Sequence, residues 1–163
     1  MKRDFKLNLE HILLSVTSVG QILAAALTYR NPVSTPLRNS GWIILWIAGV
    51  FGMLPIFTFR KLGGVDKGKS YVQTSELVDR GIYSIVRHPQ YFAGVLISIG
   101  LYMIAPGWLN LGLGIANIAQ YYTGTFEEEE RLISKFGEEY KAYQKKVPRI
   151  NPVWGIIKRI IGK

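Results

Sequence analysis

The sequence predicts an all-α fold: a polytopic membrane helical bundle of about four spans, forming a single domain over residues 1–163. The chain is 48% hydrophobic and only 19% charged, which is too apolar for an ordinary soluble domain. Residues 89–126 carry no ionisable side chain except tyrosines. There is no cysteine, so disulfides, thiolate catalysis and cysteine-based metal sites are excluded.

The first two predicted spans lie in the N-terminal part. Residues 12–29 carry no formal charge, and at about 1.5 Å per residue they reach the lower limit for crossing the hydrocarbon core. A cleaved secretory signal is the alternative, but polar residues dilute the run and a poor cleavage site follows it. Residues 31–40 contain two prolines and predict a loop. Residues 41–59 predict the second span, with aromatic side chains near both ends.

The long neutral run from 89 to 126 fits two further spans. A proline followed by a glycine at 106–107 divides it, and this pair is strong turn punctuation. The prediction is therefore a tight helical hairpin of spans 89–104 and 108–126. Small residues in both halves permit close helix contact, and the asparagine and glutamine side chains need polar partners within the bundle.

The distribution of basic residues predicts the orientation. Four spans would leave only Arg30 and Arg38 on one face, while the other 18 lysines and arginines share the opposite face with both termini. Because cytoplasmic segments are enriched in basic residues, both termini are expected in the cytoplasm, at a prokaryotic plasma membrane or the endoplasmic reticulum. The net charge of +9 is then explained without nucleic acid.

The corner Arg87-His88-Pro89 is the first candidate functional stretch. It stands directly before the neutral run. Pro89 fits the first turn of a helix and forces His88 out of the helical region, while Arg87 needs water or an anion. The sequence predicts a fixed bend that holds a cation and an imidazole at the membrane surface. The structural alternative is a basic anchor with a helix-starting proline.

The C-terminal tail is the second candidate stretch. Residues 127–130 are four consecutive glutamates, which repel one another and call for cationic partners, either from the protein or from a ligand. Gly137 predicts a helix break, residues 138–146 a short amphipathic helix that stops before Pro148, and residues 153–161 a basic, apolar segment on the membrane.

Taken together, these motifs form a pattern over about residues 73–149. They are Leu77-Val78, Gly81-Ile82-Tyr83, Arg87-His88-Pro89-Gln90-Tyr91, Glu128-Glu129-x-x-Leu132, Phe136-Gly137-Glu138-Glu139-Tyr140 and Val147-Pro148-Arg149. In this order and spacing they resemble the isoprenylcysteine carboxyl methyltransferases and the related phospholipid methyltransferases. The resemblance implies an integral membrane methyltransferase that uses S-adenosyl-L-methionine, releases S-adenosyl-L-homocysteine and requires no metal.

The resemblance also implies where the cofactor binds, in residues 71–91 and 127–149. The cofactor-binding candidates are Gln73, Leu77, Val78, Tyr83, His88, Pro89, Gln90, Tyr91, Glu128 and Glu129. The candidate catalytic residues, which can meet the acceptor, are Arg87, Tyr140 and Arg149. The chemistry suits this cofactor: carboxylates can hold its ammonium, Arg87 or His88 its carboxylate, and aromatic faces its sulfonium.

The methyl acceptor stays open. In the prenylcysteine enzymes an arginine precedes the glutamate pair, whereas residues 122–126 contain none here. The acceptor is expected to be a carboxylate or an amine that is small or lipophilic and partitions into the bilayer. Two alternatives come from other classes: a membrane reductase that uses NADPH, and a non-enzymatic membrane protein that anchors or recruits partners. The sequence leaves the oligomeric state open.

Overall fold

The computed structural model describes residues 9–64 and 74–161, and all regular structure within them is helical. Five α-helices follow one another: α1 (Leu9–Thr28), α2 (Thr35–Leu62), α3 (Pro89–Ile104), α4 (Trp108–Lys146) and α5 (Pro152–Ile161). A short 3₁₀ turn, Gly81–Ser84, precedes α3. The all-α prediction is confirmed for this part of the chain.

Two of the described helices, α1 and α2, are long and apolar enough to cross a membrane. The α3 helix is apolar but has only 16 residues. It ends at Ile104 and α4 begins at Trp108, as the proline–glycine pair between them predicts. Beyond the neutral run, α4 continues as helix through the four glutamates.

The loop predicted over residues 31–40 is too long. The α2 helix begins at Thr35, and Arg38 donates its backbone N–H to the Ser34 carbonyl. Pro36 is the second residue of α2 and interrupts no helical hydrogen bond, because the first N–H groups of a helix have no partner within it. Pro36, which predicted a loop, instead marks the start of a helix.

Gly137 breaks α4, as the sequence predicts. Its φ of 58° and ψ of −132° lie outside the helical region, so α4 consists of two helical pieces. A positive φ is readily adopted only by glycine, which explains the residue at this position. The second piece ends at Lys146, directly before Val147-Pro148.

The chain divides into two compact units. The first combines the chain up to Trp46 with Val95–Tyr121, and the second combines Ile47–Gly94 with Tyr122–Lys163, each in its described part. The first unit contains a buried amide network. Gln21 of α1 donates to the Ser98 carbonyl (2.9 Å) and to Asn110 (3.1 Å), and it accepts from Asn117 (2.8 Å). These bonds supply the partners that buried amides require, and they join α1, α3 and α4.

The second unit is built around an aromatic and aliphatic cluster. The Tyr83 ring stacks on Phe59 with centroids 4.7 Å apart, and Tyr143 donates its hydroxyl hydrogen to the Tyr83 carbonyl at 2.6 Å. The buried members are Val78, Tyr83, Tyr140, Tyr143 and Val147. The cluster packs the 3₁₀ turn against α2 and α4.

Candidate active site

The candidate site, all within the second unit, begins at the corner before α3. Gly81 has a φ of 62° and packs against Thr58 of α2, starting the 3₁₀ turn. Pro89 then opens α3. Between them the backbone N–H groups of Arg87 and His88 donate to the carbonyls of residues 148 and 149, both at 3.0 Å. The corner is therefore fixed by backbone bonds to the segment that follows α4.

Glu129 is the centre of the site. Its carboxylate is buried and accepts hydrogen bonds from Arg149, Nε to Oε1 at 3.2 Å and Nη2 to Oε2 at 2.7 Å. His88 Nε2 lies 3.0 Å from Oε1, and Gln144 donates to Oε2 at 3.0 Å. Arg87 Nη1 lies 2.5 Å from Oε1 as an ion pair without hydrogen-bond alignment. One carboxylate thus holds together residues of α4, of the corner before α3 and of the chain after α4.

The charges around Glu129 do not cancel. Two guanidinium groups, Arg87 and Arg149, surround this single carboxylate. Only 9% of the Arg87 side chain is exposed, and its Nε has no hydrogen-bond partner among the described residues. Immediately around Glu129 the guanidinium charges therefore exceed the carboxylate charge by one, and the Nε of Arg87 is a buried donor that suits an anion.

Electrostatics keeps Glu129 ionised. Burial alone would raise the pKa of Glu129, but hydrogen bonds from His88 and Arg149 and the charge of Arg87 hold this pKa below its ordinary value. Arg149 is held further by Phe126, since its guanidinium carbon lies 3.7 Å from the ring centroid. The carboxylate acts as a fixed anion that orients cations.

Glu128 occupies a different environment. About 27% of its side chain is exposed; it bonds the exposed Arg131 at 3.1 Å and lies 3.8 Å from His88 Nδ1. Tyr91 forms a hydrogen bond with it, and the Tyr91 ring packs edge-on against His88. A β-carbon at Gly124 would crowd the Tyr91 ring at 3.0 Å, so glycine permits this close packing. Glu128 is the carboxylate that a ligand can reach.

Tyr140 is buried beside Arg87. Burial and, to a smaller extent, the charge of nearby Glu129 raise the pKa of Tyr140 to about 12, against the lowering effect of Arg87. The phenol therefore keeps its proton at neutral pH. It can donate or accept a hydrogen bond in the site, but it cannot serve as a general base there.

Residues 41–139 match the family of phospholipid methyltransferases. The chain belongs to this family. The matched segment contains the corner before α3 and the glutamates of α4, whereas Gln144 and Arg149 lie beyond it.

The curated relatives that this family member matches include three proteins named protein-S-isoprenylcysteine O-methyltransferase. The Xenopus laevis protein is 33% identical over 116 residues, which are 64% of this chain and 40% of the relative. The Schizosaccharomyces pombe protein is 34% identical over 73 residues, which are 44% of this chain and 31% of the relative. The Homo sapiens protein is 38% identical over 77 residues, which are 46% of this chain and 27% of the relative. The chain therefore spans less than half the length of these relatives. No solved structure matches it. The methyltransferase resemblance seen in the sequence is confirmed at the level of the family.

The structure brings together many of the residues predicted from the sequence. Those that meet around Glu129 and Glu128 are Arg87, His88, Tyr91, Tyr140 and Arg149. Pro89 is buried at the start of α3, and Gln90 is half-buried in its first turn. Leu77, Val78 and Tyr83 belong instead to the hydrophobic cluster, which they share with Tyr140. Gln73 lies outside the described residues.

One residue of the site was not predicted. Gln144 donates to Glu129 from one helical turn beyond Tyr140, and that spacing is the signal that could have indicated it. Among the described residues, no group of three or more histidine, aspartate or glutamate side chains could hold a metal ion.

Proposed function

We propose that this protein transfers a methyl group from S-adenosyl-L-methionine to a membrane-partitioned acceptor at the cytoplasmic face of the membrane. Family membership supports the reaction class. The single observation that carries the cofactor assignment is the pairing of a net cationic site at Arg87 with an accessible carboxylate at Glu128. The amino-acid end of the cofactor has the complementary charges, a carboxylate and an ammonium group.

The residues fit this cofactor by chemistry. The free Nε of buried Arg87 would donate to the cofactor carboxylate, and Glu128 would accept from the ammonium group in place of its exposed partner Arg131. Glu129 has another role, because its oxygens are already engaged by Arg87, Arg149, His88 and Gln144. It positions the cations and does not itself bind the ligand.

When bound, the cofactor supplies an electrophilic methyl group on a sulfonium. The protein then needs only to align donor and acceptor and to exclude water, and no metal is required. Tyr140 stays protonated and contributes a hydrogen bond rather than a base. Arg149, with 23% of its side chain exposed, is the proposed contact for an anionic acceptor.

The acceptor is proposed as a lipophilic carboxylate or amine. The relatives are named for S-isoprenylcysteine, a prenylated carboxylate. An arginine precedes the glutamate pair in that class, but here the ring of Tyr91 packs at Gly124. A prenylcysteine carboxylate would therefore need another cation, and Arg149, which packs on the ring of Phe126, is the one proposed. Both acceptor classes are kept in the proposal.

The location is proposed from the same apolar helices and from the basic residues. Two helices can cross a membrane by length and composition, and 18 of 20 basic residues fall on one predicted face. We therefore propose four membrane spans, with both termini and the site on the cytoplasmic side.

Titration calorimetry of the detergent-solubilised protein tests the function. S-adenosyl-L-homocysteine is expected to bind, and NADPH is not. Binding of NADPH alone would support a membrane reductase, and binding of neither would support a non-enzymatic membrane protein; both results would overturn the proposal. A radiolabelled methyl donor offered with prenylated peptides, membrane lipids and small amines would then identify the acceptor.

A further inference from the structure

The C-terminal helix α5 has two faces of opposite character. Its inner face is packed: Pro152 and Gly155 are buried, and Arg159 donates to the Ser84 hydroxyl at 2.5 Å. A β-carbon at Gly155 would collide with the backbone carbonyl of Ile85, so the helix lies directly on the segment that leads to Arg87.

The outer face of α5 is apolar and extensively exposed. Its six large side chains remain between 37% and 77% exposed: Val153, Trp154, Ile156, Ile157, Ile160 and Ile161. At about 100° per residue they occupy an arc of roughly 160°, opposite the packed face. So many exposed apolar residues on ten positions indicate a surface that is covered in the working protein.

The charges on α5 indicate what covers it. Lys158 and Arg159 border the apolar arc on its two sides, and α5 contains no acidic residue. The preceding end of α4 adds Lys145 and Lys146, both exposed. An apolar stripe bordered by cations complements an acyl layer with anionic headgroups.

The neighbours of α5 favour a lipid surface over a second copy of the chain. The 3₁₀ turn that α5 contacts at Ser84 also packs, through Gly81, against Thr58 near the end of α2. The α2 helix is one of the two long enough to cross a membrane, and its last turn carries Arg60 and Lys61, as a membrane boundary would. The described contacts thus lead from α5 to the end of a membrane helix.

We propose that α5 is an interfacial helix whose outer face binds the surface of an anionic membrane while its inner face holds the segment that leads to Arg87. This inference concerns the helix and its lipid partner, and it does not rest on the methyl-transfer proposal. Binding places Ile157 and Ile160 at the level of the acyl chains and leaves Lys158 among the headgroups.

Because the chain has no cysteine, single-cysteine labelling tests the proposal directly. Ile157→Cys, carrying an environment-sensitive fluorophore, is reconstituted in nanodiscs of phosphatidylcholine alone or with phosphatidylglycerol. The expected result is a blue-shifted emission, quenched by spin-labelled lipid, that is stronger with phosphatidylglycerol. Glu138→Cys, whose side chain is 86% exposed, is the control and should remain accessible to an aqueous quencher. Ile160→Cys repeats the measurement should Ile157→Cys fold poorly.

Lys158→Gln, added to the labelled protein, tests the role of charge. It should lower the ratio of inserted to water-exposed α5 about fivefold in anionic nanodiscs and leave it unchanged in phosphatidylcholine. A water-exposed label in both membranes would overturn the proposal. Equal insertion in both would overturn the assignment to anionic lipid. Burial without lipid quenching, seen only with two copies in one disc, would assign the face to a protein partner instead.

Discussion

At the scale of residues, adjacent glutamates have different roles because successive positions of a helix point in different directions. Glu129 shares a helical face with Leu132, Ile133 and Phe136, all partly buried, and it is enclosed by cations. Glu128 lies about 100° further round and reaches the surface. Removing the charge of Glu129 should therefore lower the stability of the protein, whereas removing the charge of Glu128 should lower its affinity for the cofactor.

Glu129→Gln should destabilise the protein strongly. It leaves the buried guanidinium of Arg87 and the partly buried one of Arg149 without their anion, and breaking a buried ion pair costs about 3–5 kcal/mol. Thermal unfolding in detergent measures the loss, with Glu130→Gln as the matched control at the exposed neighbouring position. Equal unfolding temperatures for the two variants would show that Glu129 does not organise the site.

Glu128→Gln should leave stability almost unchanged and weaken binding of S-adenosyl-L-homocysteine by ten-fold or more. A charge-assisted hydrogen bond is worth about 1.5–3 kcal/mol, and the side chain is accessible enough to stay solvated in the free protein. Calorimetry beside Glu130→Gln measures this change. An unaltered affinity would remove Glu128 from the ligand site.

The pH dependence of stability follows from the lowered pKa of Glu129. Its ionised form is favoured in the folded state, so the stabilisation is fully present above the ordinary carboxyl value of 4.5. This stabilisation is lost as the pH falls through the lower pKa that Glu129 has in the folded state. Between pH 7 and about 3, the unfolding temperature of the unmodified protein should fall further than that of Glu129→Gln. The same acid sensitivity in both proteins would mean that other groups cause it.

At the scale of elements, the sequence predicts helix existence well, because the signals for it are local. The proline–glycine pair after Ala105, the break at Gly137 and the stop before Pro148 all appear as predicted. The start of α2 was placed too late, because Pro36 suits both a loop and a first helical turn. The bonds from residues 87 and 88 to 148 and 149 join parts of the chain that are distant in sequence, and no local pattern reveals them.

Gly155→Ala tests the packing of α5. The added methyl group would meet the backbone carbonyl of Ile85, which cannot rotate away as a side chain could. We expect a loss of about 1–3 kcal/mol, typical of overpacking. Gly112→Ala is the control, since a β-carbon there has no neighbour within 4 Å, and alanine at this helical site should be neutral or slightly stabilising. Similar effects for the two variants would show that α5 is not packed as described.

At the scale of the whole molecule, composition and charge distribution predict an all-α membrane protein, and the described helices agree with the all-α part. The site was predicted in part. Arg87, His88 and the glutamates stand in a recognisable pattern, whereas the central position of Glu129 depends on which side of α4 faces inward. The contribution of Gln144 depends on how the second piece of α4 continues beyond Gly137.

The proposed orientation is tested by labelling intact cells or sealed vesicles. Asn31→Cys, between α1 and α2, should react with a membrane-impermeant maleimide from outside. Lys145→Cys, near the end of α4, should react only after the membrane is permeabilised. Reaction of both residues from the same side would contradict the four-span arrangement and its cytoplasmic site.

The central claim is that Arg87 and Glu128 together hold the amino-acid end of the cofactor. Calorimetry that compares S-adenosyl-L-homocysteine with 5′-methylthioadenosine, which lacks this end, tests it most directly. The first ligand should bind at least ten-fold more tightly to the unmodified protein, since each charge-assisted contact is worth about 1.5–3 kcal/mol, and the preference should disappear in an Arg87→Met, Glu128→Gln double variant. Equal affinities in the unmodified protein, or a preference that survives the double substitution, would contradict the account.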